Sequence, residues 1–178
     1  MRLREDDLEI DFTDAIGGFV FDQMDRSLPN YHGIGEMCRV DFIVELAPAL
    51  VFVEIKDPAN PRAQERGLKK FEDALNGGSL SSKFAAKFVD SFFYRWAENR
   101  MDKPVHYLSL VTIDAALLPN FSDEIGKKMP HMGNRGPRWQ RAIVESCQVF
   151  NIDTWNDNFP KWPVTRIAPA AAIEGAPA

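Results

Sequence analysis

Cysteine is scarce in this chain: Cys38 and Cys147 are the only two in 178 residues. They form neither a disulfide framework nor a CxxC metal site, and a reduced compartment fits them. No apolar run approaches the ~20 residues that a membrane helix needs. The first residues, MRLREDDLEIDF, lack the apolar stretch of a secretory signal. There is no glycine-rich phosphate loop of the P-loop or dinucleotide type, and no internal repeat. His106 and His131 have no metal-ligand spacing with other histidines, cysteines or acids, and His32, alone in the loop before the hairpin, reads as a polar surface residue rather than one facing a site. These absences lead to the expectation of a soluble, cytoplasmic protein without membrane contact. A formal net charge of -5 argues against strong, indiscriminate binding to a polyanion.

What is present is enough to fold. With 45% hydrophobic and 11% aromatic residues, the chain can bury a core. No linker splits it, so the expectation is one domain over residues 1–166 and an Ala/Pro-rich, disordered tail over 167–178. Charge is uneven along the chain. Residues 1–25 hold eight acids against two arginines. Residues 126–144 hold Lys127, Lys128, Arg135, Arg138 and Arg141 with no acid. That basic segment, with Trp139 available for stacking, is a candidate phosphate-backbone contact; a solvated basic loop explains it as well.

Periodicity divides the chain into a mixed α/β order. Phe12, Ile16, Phe19, Val20 and Gln23 fit a helix over 11–24, weakened by Gly17 and Gly18. Strands follow over 37–46 and 50–57, joined at Ala47-Pro48. A helix over 62–76 ends at Gly77-Gly78. A second, over 82–100, carries Phe84, Phe88, Val89, Phe92, Phe93 and Trp96 as a stripe read as core packing. Residues 105–113 read as a strand, and 119–136 as a loop with one short helix. Pro137 opens a further helix, and CQVFNI is a last strand. DTWNDNFPKWP, with two Trp and one Phe, reads as a plug at the edge of the core.

The stretch RVDFIVELAPALVFVEIKD, residues 39–57, is strongly apolar yet contains Asp41, Glu45, Glu54 and Lys56. Burying an unpartnered charge costs several kcal/mol. Period-two alternation puts Glu54 and Lys56 on one strand face, and Asp41 with Glu45 on one face of the preceding strand. A tight turn that sets Leu46 opposite Ala49 places Asp41 directly across from Glu54; a one-residue slip would undo this. Two such carboxylates repel unless a cation lies between them. Oxygen ligands in a partly hydrated site suit Mg²⁺ or Mn²⁺. Lys56, on the Glu54 face, is placed to meet a metal-bound water or a phosphoryl oxygen. The alternative is structural: Lys56 simply pairs with Glu54 or Asp41 on a solvated face.

An Asp on one strand followed by Glu-X-Lys on the next resembles the PD-(D/E)XK nucleases, whose fold is a restriction-endonuclease-like mixed sheet flanked by helices. Here the pattern is Asp41, twelve residues, then Glu54-Ile55-Lys56, with a helix before the hairpin and a helix and strand after it. The resemblance covers roughly residues 11–115. Val40 stands where the family often has Pro. The resemblance implies Asp41 and Glu54 as metal ligands, Lys56 as catalytic lysine, and a further acid from the first helix, with Asp22 ahead of Asp14 and Glu36. It points to Gln64 and Lys69 on the next helix as phosphate contacts, beside Arg135, Arg138 and Arg141. Its implied activity is Mg²⁺-dependent cleavage of nucleic acid, DNA first, and many such nucleases act as homodimers. Two other expectations stand beside it: a non-catalytic protein that keeps this fold for binding nucleic acid or protein, and an unrelated α/β domain whose hairpin charges face water.

Overall fold

The computed structural model of the chain describes residues 1–130, 138 and 140–167. Among these residues it is a mixed α/β structure with two sheets and four α-helices. A hairpin, β1 (Arg2–Glu5) and β2 (Leu8–Asp11), pairs through β2 with the last strand, β8 (Val164–Arg166). The larger sheet has the order β3 (Gly17–Val20), β4 (Phe42–Glu45), β5 (Leu50–Lys56), β6 (Val105–Val111), β7 (Ser146–Phe150). Its first three strands are antiparallel; β6 and β7 run parallel to β5. Between β5 and β6 lie α1 (Glu65–Asn76) and α2 (Ser79–Ala97). A short 3-10 turn (Ala115–Leu117) and α3 (Leu118–Lys128) precede β7, and α4 (Ile152–Asn158) precedes β8.

The apolar residues on the two faces of the larger sheet form separate cores. Leu50 and Phe52 of β5 pack with Phe84 and Phe88 of α2 and Phe121 and Ile125 of α3. Val51, Val53 and Ile55, on the opposite face, pack with Leu8 and Ile10 of β2, Val164 of β8 and Trp155 of α4. All three layers therefore depend on the alternation along β5, a strand buried on both faces as strands paired in parallel usually are. The segment around α4 plugs the second core as expected: Trp155 is fully buried, and Phe159 stacks on Trp162 with ring centroids 5.2 Å apart.

Three expectations from the sequence need correction. Residues 11–24 form no helix; β3 lies there instead. Gly17 and Gly18 are poor helix formers, and Gly18 lets the strand approach β4 so closely that a Cβ there would sit 3.1 Å from the Ile43 carbonyl oxygen. The apolar residues then serve both faces with period two, Phe19 and Phe21 toward one core and Val20 toward the other. The helix expected from Pro137 is absent over the described residues 140–145, and β7 already begins at Ser146. The aromatic stripe of α2 divides: Phe84 and Phe88 are buried, whereas Val89, Phe93 and Trp96 face outward, with Trp96 57% exposed. Cys38 is exposed. The tail over 168–178 lies outside the described residues.

A capping box closes the start of α4, with the Asn151 side chain accepting from the Thr154 N–H and the Thr154 hydroxyl facing the Asn151 N–H. Seven residues are too few to hold a helix by propensity alone. Asn151→Ala is expected to cost about 1 kcal/mol, read as a lower denaturant midpoint at unchanged slope.

Candidate active site

The observed register sets Phe42 against Val53 and Glu45 against Leu50. Continued by one residue, it sets Asp41 against Glu54, as the alternation argument required. The hairpin closes where the Leu46 N–H donates to the Ala49 carbonyl at 2.9 Å. Asp41 and Glu54 are both buried, Glu54 completely. Both lie on the face of the sheet covered by α2.

The cation between them is one that sequence reasoning missed. Lys87 of α2 places its Nζ 2.7 Å from Glu54 Oε1, 2.8 Å from Glu54 Oε2 and 3.4 Å from Asp41 Oδ1. The signal for it was present: Lys87 falls among Phe84, Phe88 and Ser91, all buried at helical spacing. A lysine in that stripe must meet an acid. Asp41 Oδ2 accepts from the Ile55 N–H at 2.5 Å, which ties the carboxylate to the neighbouring strand. Glu54 Oε1, though close to Nζ, lies off the direction of a hydrogen bond, and neither it nor the buried Ser109 Oγ has a hydrogen-bond partner among the described residues. Glu54 and Ser109 face each other across β5 and β6.

The electrostatics follow from burial. Removal from water pushes the Glu54 carboxyl well above the usual range, and the neighbouring Asp41 adds to the shift; Lys87 and Lys56 oppose it. Burial also raises Asp41, against the pull of Lys87 and of the Ile55 N–H. For Lys87 burial disfavours the charged form, but the attraction of Glu54 and then Asp41 prevails and its pKa stands above that of an ordinary lysine. Two carboxylates and one ammonium leave the pocket one negative charge in excess when all are ionised.

Lys56 is exposed at the end of β5. It lines two adjoining cavities. One, of about 330 Å³, also has Glu54 and Lys87 in its wall; the other, of about 460 Å³, has Glu5, Asp57 and Arg62. Glu5, at the end of β1, is the second residue that sequence reasoning missed as part of this site. It stands near enough to Asp41 for burial and that charge to push its pKa up to about 7. A folded-state value above the ordinary one means that the folded chain holds a proton the unfolded chain has released. Stability from this group is then complete below about pH 4.5 and declines as pH rises toward 7. Glu5→Gln is expected to flatten that decline. The gain at pH 8 should be on the order of 1 kcal/mol once its partial exposure is allowed for, read from denaturant midpoints at pH 4 and pH 8.

The other candidates lie elsewhere. Asp22 follows β3 rather than sitting on a helix, and its carboxylate accepts from Arg39 Nε at 2.9 Å. Asp14 accepts from the Trp162 indole, and Glu36 is exposed in the loop before β4. Gln64 is the exposed N-cap residue of α1, and Lys69 is exposed on that helix. Arg141 donates to the Met101 carbonyl, Arg138 is exposed, and Arg135, His131 and Trp139 lie outside the described residues.

Among the described residues no group of three or more His, Cys, Asp or Glu side chains is gathered to hold a metal ion. Asp41 and Glu54 are a pair. The pair still suits Mg²⁺, which is commonly bound by one or two carboxylates with the rest of its shell from water and substrate phosphate. A single cation, the Lys87 ammonium, already bridges both side chains here. No family model, no curated protein and no solved structure matches this chain.

Proposed function

We propose that this protein is a metal-dependent phosphodiester hydrolase acting on nucleic acid, in the manner of the PD-(D/E)XK nucleases, with DNA as the first substrate to try. The observation that carries the reading is the convergence of Asp41, from the start of β4, and Glu54, from β5, on a single cation position, with Lys56 at the mouth of the same cavity. The helix α2 and the parallel strand β6 that follow the hairpin agree with the resemblance. The N-terminal helix does not, since a β-hairpin and β3 stand in its place.

Asp41 and Glu54 would hold Mg²⁺ or Mn²⁺, which supplies Lewis acidity toward a phosphate and makes a water more acidic. Each remaining role falls to a residue of the chain. The Ile55 N–H keeps the Asp41 carboxylate aimed at the site. Lys56, paired with no carboxylate among the described residues, offers its ammonium to a phosphoryl oxygen as negative charge builds there. Lys87 holds the carboxylates together in the absence of metal and must give up that position when one enters. Phe84, buried in the cavity wall with Glu54, closes its inner side against water.

The test is incubation of the purified protein with supercoiled, linear and single-stranded DNA in Mg²⁺ or Mn²⁺, with EDTA as control. Cutting that requires the metal, and that Lys56→Ala slows by roughly 100-fold, is the expected result. Absence of cutting on every substrate with either metal would overturn the reading.

One observation favours a second reading, a non-catalytic binding module. Lys87 occupies the position where a metal would sit, so the acids are already partnered. Calorimetry separates the two: no heat from millimolar Mg²⁺ or Mn²⁺ points to the binding module.

A further inference from the structure

The cavity of about 330 Å³ above Glu54 is bounded by four lysines from three elements: Lys56 of β5, Lys70 of α1, and Lys83 and Lys87 of α2. Lys87 is spent on the buried acids. Lys56, Lys70 and Lys83 form no ion pair among the described residues, unlike Lys103, Arg39 and Arg166, which each pair with an acid. Like charges brought around one small opening repel one another. An anion between them relieves that repulsion. Apart from Glu54, the remaining wall is apolar, with Phe71, Ala74, Leu80 and Phe84. Phe71 is half-buried and also borders the neighbouring cavity around Arg62. A cavity with a cationic rim and an aromatic wall has the two components that hold a single strand, charge for the backbone and a flat apolar surface for a base. Its volume lies at the low end for small-ligand sites, room for about one nucleotide and not for a duplex.

We infer that the cleft between α1 and α2 is the entry path for an unpaired nucleic-acid strand, with Lys70 and Lys83 holding its phosphates and Phe71 packing against a base, and that the basic segment 126–144 is not the principal contact. This rests on the phosphodiesterase reading and adds to it the substrate form and the residues that guide it. It also shifts the phosphate contact by one residue from the expected Lys69, which does not line the cavity, to Lys70. On a helix, one residue turns a side chain by about 100°.

The test measures binding without divalent metal, so that cutting does not intervene. A fluorescein-labelled single-stranded DNA oligonucleotide and the matching duplex are titrated by anisotropy over a range of salt. The proteins are the wild type, the Lys70→Gln/Lys83→Gln variant and the Arg138→Gln/Arg141→Gln variant. Lys70 and Lys83 are exposed, so the first variant should keep its melting temperature. The expected result is single-strand affinity above duplex affinity, at least a tenfold loss in the lysine variant, and a salt slope smaller by about 1.4, the value for two released counterions on a single strand. The arginine variant should stay within about twofold of the wild type. Tighter duplex binding, an equal or greater loss in the arginine variant, an unchanged lysine variant, or no binding by the wild type would each overturn the inference. A protein that binds through Lys70 and Lys83 yet cuts nothing in Mg²⁺ or Mn²⁺ would overturn the proposed activity and leave this strand path standing.

Discussion

Lys87→Met is expected to destabilise the protein by about 3–5 kcal/mol at pH 8, the usual consequence of removing one partner from a buried ion pair. Met matches the length and much of the volume of the lysine stem, so the change isolates the charge from the packing beside Phe84 and Phe88. What remains is Glu54, fully buried, next to Asp41, nearly so, with no ammonium between them. The pH dependence gives the mechanism away. Both carboxyls already stand above their ordinary pKa because of burial, and loss of Lys87 pushes them further up. Raised carboxyls contribute full stability below the unfolded value and lose it as pH rises through the folded one. The deficit of Lys87→Met should therefore be small at pH 4 and grow toward pH 8. Urea midpoints across that range measure it. A deficit that does not change with pH would mean that the lysine acts through packing alone. The same variant should bind Mn²⁺ more tightly than the wild type, because the ion no longer has to displace an ammonium, and added Mn²⁺ should restore stability by mass action.

Glu54→Gln is expected to lower metal-dependent cutting by more than 100-fold while leaving the protein as stable as the wild type or more so. Outer-shell partners of a metal ligand alone are worth 10–100-fold in metal affinity or activity, and Glu54 would be a ligand. Stability should move the other way. The amide keeps the shape of the carboxyl, and its oxygen still accepts from Lys87. It also removes a buried charge that burial and Asp41 both disfavour. A binding module would show the gain in stability without any activity to lose. A Glu54→Gln protein that cuts at the wild-type rate would remove this residue from the site altogether. Stability and activity changing in opposite directions is the expected sign of a residue kept for chemistry rather than for folding.

Much of the hairpin was legible from residues 39–57. Alternation and a two-residue turn suffice to set a register when one slipped residue would exchange Leu50 and Phe52 with Val51 and Val53. The helices α1 and α2 and the strand β6 were legible for the same reason, since each has a dominant period. The N-terminal region was not, because Phe12, Ile16, Phe19 and Val20 fit both a helix and a pair of strands that supply two cores. Only the partner strand β4 and the close approach at Gly18 decide between them.

The sequence by itself determined that Asp41 and Glu54 meet and that Lys56 lies on the same face as Glu54, because pairing and pleat are local rules that run only a few residues along the chain. Tertiary structure alone decided which cation lies between the acids, and that Glu5 approaches them from a different sheet. Lys87 is 33 residues beyond Glu54, and its position depends on how α2 crosses the larger sheet. That crossing comes from the fit of Phe88 onto Phe52 and Tyr107, a matter of packing between distant side chains that no short-range period encodes.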